Sequence, residues 1–390
     1  MKILLVGDAN SIFLIDYTVW LKKSMDVEVD IYSIYQNNGD YNNLPYNRVF
    51  ESNYNDTILS KIKGVRTLIY PFFLNIEFNV FLKKHNEKYD IIHFHWIIPA
   101  WVLTPNAYKR YSRRVFATFW GGEKDVQEIL FSKQLYKTRA ASFLKKTDCI
   151  VGNNKLRENG IVKIFPFIKE KYKFGIFGST PLEILYSLQE SETCEESKVR
   201  MGIKPDKISV VLGYSGKRIH NHLEIINSLI QNSRYQHLKE KIQLVASMSR
   251  GADENYISEI ENKLSESGFE YVLFKKTYFT EEEVTRLRNA SDVVFQLSTF
   301  DGLSRTILEC LCAGSIVISG DWLNYLYFKD EGFKFVEVSN TNEAIDYLYK
   351  ISLNPDVFKL EYKANILNGK NRYTWKECIK DWVKHYQELQ

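Results

Sequence analysis

The sequence predicts an α/β protein of two doubly wound domains, each with a parallel sheet. The chain has 390 residues, a length that accommodates two domains with substantial cores, and two such domains commonly form a cleft. Short runs rich in β-branched residues also alternate with segments of helical length, a pattern that is typical of parallel strands joined by helices. The alternation stops once and then resumes, which indicates two separate sheets.

The predicted strands form two series. The first series lies at 3–6, 27–33, 91–94, 115–118 and 149–151, and the second at 208–212, 242–246, 271–274, 292–297 and 316–319. Between them, residues 189–200 are polar and acidic with few apolar side chains to bury, so we expect the connection between the domains before or within this segment. We therefore expect an N-terminal Rossmann-like domain over 1–185 and a second one over 200–368.

Two further segments predict helices. Residues 373–389 place five large side chains at helical spacing: Trp375, Ile379, Trp382, Val383 and Tyr386. This spacing predicts an amphipathic helix, and we expect residues 369–390 to pack back toward the N-terminal domain. Residues 68–82 are interpreted as a strand followed by a buried helix. Pro71, Asn75, Glu77 and Asn79 make this run too polar to cross a membrane.

Composition disfavours several classes of protein. The 52 Lys and Arg residues barely exceed the 48 Asp and Glu residues, and no nucleic-acid-binding motif is present, so nucleic acid is not an expected partner. Five cysteines without a pair of CxxC motifs argue against a disulfide framework and structural zinc, which favours a reduced, cytoplasmic setting. The N-terminus lacks the features of a signal peptide, and no run of about 18 apolar residues predicts a membrane span.

Basic residues are concentrated in the N-terminal part of the chain. Residues 1–165 contain 23 Lys and Arg against 16 Asp and Glu. One cluster consists of Lys109, Arg110, Arg113 and Arg114, and a second group lies on a predicted helix at Lys133, Lys137, Arg139, Lys145 and Lys146. One interpretation is that both groups of basic residues lie on helix faces exposed to solvent. The alternative is a patch that attracts anionic lipid or a diphosphate-bearing lipid substrate.

The stretch 295–314 is the strongest candidate for chemistry. It predicts a strand, a glycine-containing loop and a largely apolar helix in which Glu309 is out of place, because a buried carboxylate is costly unless it is hydrogen-bonded. A polyol would satisfy it. The predicted helix start, at Gly302, Leu303, Ser304 and Arg305, offers free N–H groups and a cation to a diphosphate. The alternative is that Asp301 caps the helix and Glu309 faces solvent.

A second glycine-containing loop opens the second domain. Gly213 and Gly216 permit a tight turn after the predicted strand, and Ser215 offers a hydroxyl at a point where the next helix start can face a phosphate. Lys217 and Arg218 follow directly. The alternative is an ordinary connection between a strand and a helix.

Histidines give weaker signals. His93 and His95 lie two residues apart on a predicted strand, so they share a face and either line a site together or belong to the core. His220 and His222 are equally open to both interpretations. No cluster has the spacing of a metal site, and the loop after the first strand lacks the GxGxxG pattern, which disfavours nicotinamide chemistry.

The stretch 295–314 resembles the acidic signature of the group 1 glycosyltransferases, which have the GT-B fold of two Rossmann-like domains. Asp301 and Glu309 have the family's spacing of two carboxylates and are followed by Ala313, Gly314 and an apolar strand. The resemblance implies that Glu309 holds the ribose of a nucleotide and that Asp301 holds hydroxyls of the donor sugar. Asp301 stands where the family usually has Glu, so its reach is one methylene shorter.

Other segments extend the resemblance along the chain. Residues 90–96, 147–153 and 288–292 are similar to the family's strand segments. Trp120 stands where many members have a histidine, before Gly121, Gly122 and Glu123. Lys217 and Arg218 take the place of the family's diphosphate-binding Arg and Lys. The Gly-Ser-Gly pattern, the 119–123 segment and the loop around Arg250 resemble more closely the 4-acetamido-4,6-dideoxygalactose (Fuc4NAc) transferases.

The resemblance implies a glycosyltransferase, of hexosyltransferase type, that moves a sugar from a nucleotide diphosphate donor to a glycan, carried on a polyprenyl lipid, in bacterial surface polysaccharide synthesis. The implied catalytic residues are Asp301, Glu309, Trp120 and Glu123. The implied donor-binding residues are Ser215, Gly216, Lys217, Arg218, Arg250, Gly302, Leu303, Ser304, Arg305 and Glu309. The implied acceptor residues are Gly121, Gly122 and His95.

Neither a metal nor another cofactor is expected, because the Asp-x-Asp metal motif of the other large glycosyltransferase fold is absent, and the expected location is the cytoplasm or the inner face of the membrane. Retention of anomeric configuration is expected, and in an inverting enzyme Glu123 or Asp125 would be the base. The alternatives are a non-hydrolysing nucleotide-sugar epimerase and a non-catalytic nucleotide-sugar-binding or partner subunit.

Overall fold

The computed structural model describes residues 1–35, 43–52, 65–95, 97, 101–102, 105–119, 134–152, 162, 164–249, 251–275, 279–301, 304–323 and 325–388. The chain divides into two compact units. Unit 1 comprises Met1–Gly178 and Trp375–Gln390, and unit 2 comprises Ser179–Thr374.

Unit 1 contains a seven-stranded parallel sheet. Its strands are β1 (Lys2–Gly7), β2 (Glu28–Ser33), β3 (Arg48–Glu51), β4 (Tyr89–Phe94), β5 (Ser112–Phe119), β6 (Cys149–Gly152) and β7 (Tyr172–Phe174). Their order is β3-β2-β1-β4-β5-β6-β7. Among the residues that the structure describes, the α-helices before unit 2 are α1 (Ile12–Ser24), α2 (Val65–His85), α3 (Pro105–Tyr108) and α4 (Gln134–Lys146). The central strands are nearly continuous apolar runs because both faces of the sheet are buried.

Helix α2 corrects the prediction of a strand followed by a buried helix. The helix is continuous from Val65 to His85 and runs through Pro71. Leu74, Phe78 and Leu82 are buried at intervals of four residues, so they lie on one face against the sheet. From Phe72 onward the opposite face is exposed, so this part of α2 is amphipathic and only half buried.

Unit 2 contains a six-stranded parallel sheet. Its strands are β8 (Ile208–Leu212), β9 (Ile242–Ser247), β10 (Glu270–Phe274), β11 (Val293–Gln296), β12 (Ile316–Gly320) and β13 (Val336–Val338). Their order is β10-β9-β8-β11-β12-β13. Its helices are α5 (Thr180–Gln189), α6 (Cys194–Arg200), α7 (His222–Gln231), α8 (Tyr235–Lys241), α9 (Glu254–Ser267), α10 (Glu281–Asn289), α11 (Arg305–Ala313), α12 (Leu326–Asp330), α13 (Thr341–Leu353), α14 (Pro355–Tyr362) and α15 (Ala364–Arg372).

Residues 179–200 belong to unit 2, so the boundary between the units lies at 178/179, before the acidic segment 189–200 and ahead of the predicted end of the first domain at 185. Thr193 and Glu196 form a capping box that starts α6. The ammonium of Lys198 lies 2.5 Å from a carboxylate oxygen of Asp292, and both side chains are only 2% exposed. This buried ion pair fixes α6 to the sheet, so the acidic segment is a folded part of unit 2.

The last helix, α16 (Trp375–Gln387), belongs to unit 1. Trp375, Ile379, Trp382 and Tyr386 lie in the core of that unit, as the predicted amphipathic helix requires. The hydroxyl of Tyr17 donates to that of Tyr386 over 2.7 Å. Within the residues that the structure describes, no helix combines the length and the apolar content needed to cross a bilayer.

Candidate functional site

The site predicted in the second domain lies at the switch point of the unit 2 sheet. Strands β8 and β11 are neighbours in the sheet, but their successors β9 and β12 lie on opposite sides of this pair. In doubly wound sheets, ligands bind beside the carboxyl ends of such strands. The loop that follows β8 contains Ser215 to Arg218, and the loop that follows β11 contains Asp301 and Ser304. The fold therefore brings the two predicted segments to one edge.

Hydrogen bonds join these two loops directly. The Thr299 N–H donates to the carbonyl of Ile219 over 2.8 Å. The side-chain amide of Asn221 donates to the carbonyl of Leu297 over 2.7 Å, and Asn221 adopts a left-handed conformation with φ of 57°. These bonds fix the loop after β8 against the loop after β11, so side chains on either loop keep a defined separation.

Gly216 is required by close packing. A Cβ added there would lie 2.5 Å from the Cβ of Ala252 and 3.1 Å from the Cα of Met248. Since the second atom belongs to the backbone, a side chain would force the chain to move. Gly216 therefore allows the loop after β8 to pack closely against the loop after β9, whereas a positive φ, as in a tight turn, is found at Gly213.

Asp301 lies at the centre of a hydrogen-bond network. Its Oδ2 accepts a bond of 2.5 Å from the side-chain amide of Gln296 and one of 2.6 Å from the hydroxyl of Tyr325. Its Oδ1 accepts a bond of 3.1 Å from the hydroxyl of Tyr214. Three donors from three segments therefore fix the carboxylate.

The network has a clear electrostatic consequence. Burial and the nearby charge of Asp301 raise the pKa of Tyr214 to about 12. The same two causes, burial being the larger, raise the pKa of Tyr325 well above its ordinary value. Both phenols therefore stay protonated at neutral pH and donate to Asp301.

The helix after Asp301 is capped by a different residue. Ser304 is the N-cap of α11, and its hydroxyl accepts from the N–H of Ile307 over 3.4 Å. The alternative in which Asp301 merely caps the helix is therefore wrong. Arg305 is the first residue of α11 and is partly exposed, so a cation stands at the positive end of the helix dipole.

Glu309 is buried, as its apolar neighbours predict, with 6% of its surface exposed. Its Oε1 accepts from the hydroxyl of Ser179 over 3.2 Å, and its Oε2 lies 3.8 Å from Nε of Arg288. Burial raises the pKa of Glu309, and the positive charges of Arg288 and Arg305 only partly oppose this effect. The alternative in which Glu309 faces solvent is wrong. Contact with a ribose stays a prediction.

Ser215 is also nearly buried, at 7% exposure. Its hydroxyl lies 2.9 Å from Nε2 of His220. Burial, together with the positive charge of Lys217, lowers the pKa of His220 to about 4. His220 is therefore a neutral partner of Ser215 at physiological pH.

The two cations of the same loop differ in their contacts. Lys217 is exposed. The guanidinium of Arg218 lies 4.1 Å from the ring centroid of Tyr256, and its nitrogens lie 3.4 Å from a carboxylate oxygen of Glu259 and 3.8 Å from one of Asp253. Arg218 is thus directed to α9 in this structure. The prediction that it binds a diphosphate requires it to exchange these partners.

His95 lies in the core of unit 1 and is 1% exposed. Its ring centroid is 5.1 Å from that of Tyr17 and 3.9 Å from that of His93. Burial lowers the pKa of His95 to about 3. The core alternative describes both histidines in this structure, and the role of His95 toward an acceptor stays a prediction.

Several predicted site residues lie outside the residues that the structure describes. They are Trp120, Gly121, Gly122, Glu123, Asp125, Arg250, Gly302 and Leu303. Within the described part of the chain, no three His, Cys, Asp or Glu side chains are placed to hold a metal ion. Independence of metal stays a prediction.

The basic cluster at 109–114 is largely paired. Lys109 donates to Asp148 with a bond of 2.6 Å to Oδ1, and a nitrogen of Arg114 lies 3.9 Å from the same carboxylate. Arg113 lies 3.6 Å from Asp90. These ion pairs reduce the net charge that the cluster offers to a surface.

Several contributors to this site could not be recognised from the sequence. Gln296 lies inside the quoted signature, but nothing in its spacing shows that it binds Asp301. Tyr325 and Arg288 lie in other segments and approach Asp301 and Glu309 only through the fold. Tyr214 lies in the loop after β8, but nothing in the sequence shows that its hydroxyl donates to Asp301.

Comparisons with known proteins show a likeness in structure. No family model and no curated protein matches the chain. A glycosyltransferase from Rickettsia africae ESF-5 is 15% identical with a TM-score of 0.66, and the match covers 100% of this chain and 98% of that chain. The sucrose-phosphate synthase from Thermosynechococcus elongatus is 13% identical with a TM-score of 0.69, and the match covers 100% of this chain and 99% of the synthase. HepE from Anabaena, in complex with UDP and glucose, is 13% identical with a TM-score of 0.58, and the match covers 100% of this chain and 98% of HepE.

At these identities the likeness establishes the fold. The two parallel-sheet Rossmann-like domains and the C-terminal helix match the GT-B fold of these structures along their whole length. The predicted fold class is therefore confirmed.

Proposed function

We propose that this chain is a group 1 glycosyltransferase that transfers a sugar from a nucleotide diphosphate donor to a glycan acceptor. The observation that carries the proposal is the carboxylate of Asp301, which Gln296, Tyr214 and Tyr325 fix at the switch point of unit 2. A fixed carboxylate accepts hydrogen bonds from sugar hydroxyls. The fold is the one in which HepE is solved with UDP and glucose.

The other residues of the site have complementary roles in this proposal. Ser215 and the N–H groups around Gly216 contact the diphosphate, together with Lys217 and Arg305. The N-terminus of α11 adds a favourable dipole, so the leaving group is stabilised without a metal ion. Glu309 accepts the ribose hydroxyls once they replace Ser179 beside its carboxylate. UDP is the first nucleotide to test, because it is the one bound to HepE.

A lipid-linked acceptor forms the finer part of the proposal. On the exposed face of α2, Phe72 is 50% exposed, Phe73 37%, Ile76 59% and Val80 57%. Lys83 and Lys84 follow in the last turn of the same helix. An apolar helix face beside cations suits the boundary between anionic headgroups and acyl chains. We therefore propose a cytoplasmic enzyme that works at the inner face of the membrane in surface polysaccharide synthesis.

The sequence pattern alone supports two further points. Retention of the anomeric configuration follows from the group 1 resemblance. The Gly-Ser-Gly loop, with Gly213, Ser215 and Gly216, supports a relationship to the Fuc4NAc transferases. Both points are decided by the configuration and identity of the transferred sugar in the product.

The direct test is a thermal-shift measurement against UDP, GDP, dTDP and CDP and their sugars. A ligand at 100 times its dissociation constant stabilises the folded state by about 2.7 kcal/mol. We expect one nucleotide to raise the unfolding temperature selectively, and we expect Glu309→Ala to weaken its binding by about 1.5–3 kcal/mol. The matched control is Glu190→Ala, which removes a carboxylate that is 74% exposed.

The outcomes separate the proposal from its alternatives. Transfer to an added glycan acceptor establishes a glycosyltransferase. A selective shift accompanied by epimerised nucleotide-sugar without acceptor would establish the epimerase. Binding without turnover in any acceptor mixture would favour a non-catalytic subunit, and no shift with any nucleotide would contradict the proposed function.

A further inference from the structure

The hydrogen bond between Ser215 and His220 has a definite direction. His220 is 1% exposed, and its Nε2 lies 2.9 Å from Oγ of Ser215. The other ring nitrogen, Nδ1, is buried without a hydrogen-bond partner among the described residues. A neutral imidazole has one N–H and one acceptor nitrogen. The proton can therefore stand at the partnered nitrogen or at the one without a partner.

The two tautomers differ in cost. A proton on Nδ1 would leave a buried donor unsatisfied, which costs about 1–3 kcal/mol, and unpaired buried N–H groups are rarer in proteins than unpaired acceptors. A proton on Nε2 is donated to Ser215, and Nδ1 is then only an acceptor without a donor. The low pKa of His220, about 4, excludes the doubly protonated ring at neutral pH. The favoured tautomer carries its proton on Nε2.

This tautomer determines what Ser215 can offer to a ligand. Because Oγ of Ser215 accepts from His220, its own proton is not used in that bond. The hydroxyl is then a donor at the switch point, next in sequence to Gly216 and Lys217. Lys217 is two residues away and its positive charge acts on His220, so a donor hydroxyl here suits an anionic oxygen better than a sugar or a base.

The loop holds the imidazole in this position. Gly213 has φ of +67°, and a Cβ there would lie 2.8 Å from both Cβ and Cγ of His220. The ring centroid of Tyr214 is 4.4 Å from that of His220. The ring therefore packs directly on the turn that Gly213 makes possible, and it has little room to rotate away from Ser215.

We propose that His220 is a positioning residue, which donates from Nε2 to Ser215 and so keeps the Ser215 hydroxyl a donor to the diphosphate of the nucleotide-sugar. The identity of the ligand rests on the proposed function. The direction of the hydrogen bond does not, because it follows from the burial of Nδ1 and the distance from Nε2 to Oγ.

The first experiment determines the tautomer in the free protein. Long-range nitrogen–proton correlation spectra of ¹⁵N-histidine-labelled protein at pH 7 report which ring nitrogen bears the proton, and the signals of His220 are those absent from the His220→Gln variant. We expect the proton on Nε2. A proton on Nδ1 would overturn the inference whatever the protein binds.

The second experiment measures UDP affinity in a double-mutant cycle. We expect Ser215→Ala and His220→Leu each to weaken binding about 10-fold or more, and the double variant to lose no more than the stronger single variant, because both remove the same donor. His220→Gln offers an amide N–H in place of Nε2–H and is expected to restore most of the affinity. Unfolding temperatures of all variants establish that they are folded.

The chain offers a matched control in the same unit. Nε2 of His237 lies 3.0 Å from Oγ of Ser352, so His237→Leu removes an equivalent imidazole–serine pair away from the switch point. We expect no change in UDP affinity. Independent, additive losses in the cycle, or a loss in Ser215→Ala with none in His220→Leu, would overturn the positioning role. If wild-type protein binds no nucleotide, the diphosphate assignment fails together with the proposed function, whereas the tautomer result still stands or falls separately.

Discussion

The hydroxyl of Tyr325 donates a hydrogen bond of 2.6 Å to Oδ2 of Asp301, although 24 residues separate them in the chain. Gln296 donates to the same oxygen over 2.5 Å and to the hydroxyl oxygen of Tyr325 over 2.8 Å. The three groups form a closed triangle in which every donor has an acceptor. The carboxylate of Asp301 is therefore held in a defined position by its neighbours.

We expect Tyr325→Phe to weaken binding of the nucleotide-sugar about 10-fold while leaving the affinity for the nucleoside diphosphate unchanged. The reason is that a hydrogen bond to a charged group is worth about 1.5–3 kcal/mol, and its loss lets Asp301 move away from the sugar. Titration calorimetry with UDP and a UDP-sugar measures both affinities. Tyr327→Phe is the control, since it removes a buried bond of 3.2 Å from Tyr373. Equal losses for both ligands would contradict the role of Asp301.

We expect the stability of the wild type relative to Glu309→Gln to fall as pH rises. Burial raises the pKa of Glu309 above the value of 4.5 for an ordinary glutamate, so the folded protein holds this proton more tightly than the unfolded chain does. The stabilisation that protonated Glu309 contributes is complete below about pH 4.5 and is lost as the pH rises through the pKa of Glu309 in the folded protein. Urea unfolding of both proteins between pH 4 and pH 8 measures the difference. A difference that increased with pH would show that Arg288 dominates over burial.

Stability is expected to depend on pH in the opposite direction for four buried histidines. Their pKa values are lowered, and they are His93, His95, His220 and His222. Burial is the largest cause for each. The folded state holds these rings neutral, so stability is complete above the unfolded pKa of about 6.5 and is lost as pH falls below it, by about 1.4 kcal/mol per pH unit for each ring.

His93 is the best position to test this expectation. Its Nδ1 lies 2.6 Å from the hydroxyl of Tyr386, and its Nε2 lies 2.7 Å from that of Thr118. His93→Gln should lower the overall stability. It should also make the free energy of unfolding less dependent on pH between pH 6 and pH 5, because the variant takes up about one proton fewer on unfolding. The exposed His85, replaced by Gln, is the control. An unchanged slope in His93→Gln would show that His93 is charged in the folded protein.

The sequence predicted what depends on local pattern. Both parallel sheets, α16 and the burial of Glu309 follow from the spacing and type of neighbouring residues. The partners of the two carboxylates could not be predicted, because Tyr325 and Arg288 approach them only after β12 and α10 are packed. The connection between the domains is expected before or within 189–200, because that segment is polar and acidic with few apolar side chains, and the boundary lies before it. The sequence of 189–200 contains a recognisable capping box at Thr193 and Glu196, but nothing in it indicates the ion pair between Lys198 and Asp292.

The exposed face of α2 gives the last prediction. Burying one exposed phenylalanine or aliphatic side chain is worth about 1.5–3 kcal/mol, and each cation near an anionic surface about 1 kcal/mol. We therefore expect the triple variant Phe72→Ser, Ile76→Ser, Val80→Ser to reduce sedimentation with phosphatidylglycerol vesicles at both low and high salt. Lys83→Gln with Lys84→Gln should reduce sedimentation at low salt only, since salt screens charges more than apolar contacts.

The basic cluster and an apolar control complete this test. Neutralising Lys109, Arg110, Arg113 and Arg114 should have a smaller effect at low salt, because Asp148 and Asp90 already pair with that cluster. The matched control is the triple variant Val357→Ser, Leu360→Ser, Leu367→Ser, which removes apolar side chains of unit 2 that are somewhat more exposed than those of α2. If both triple variants lost sedimentation alike, binding would be a general property of exposed apolar surface, and the assignment of α2 as the lipid-facing element would be wrong.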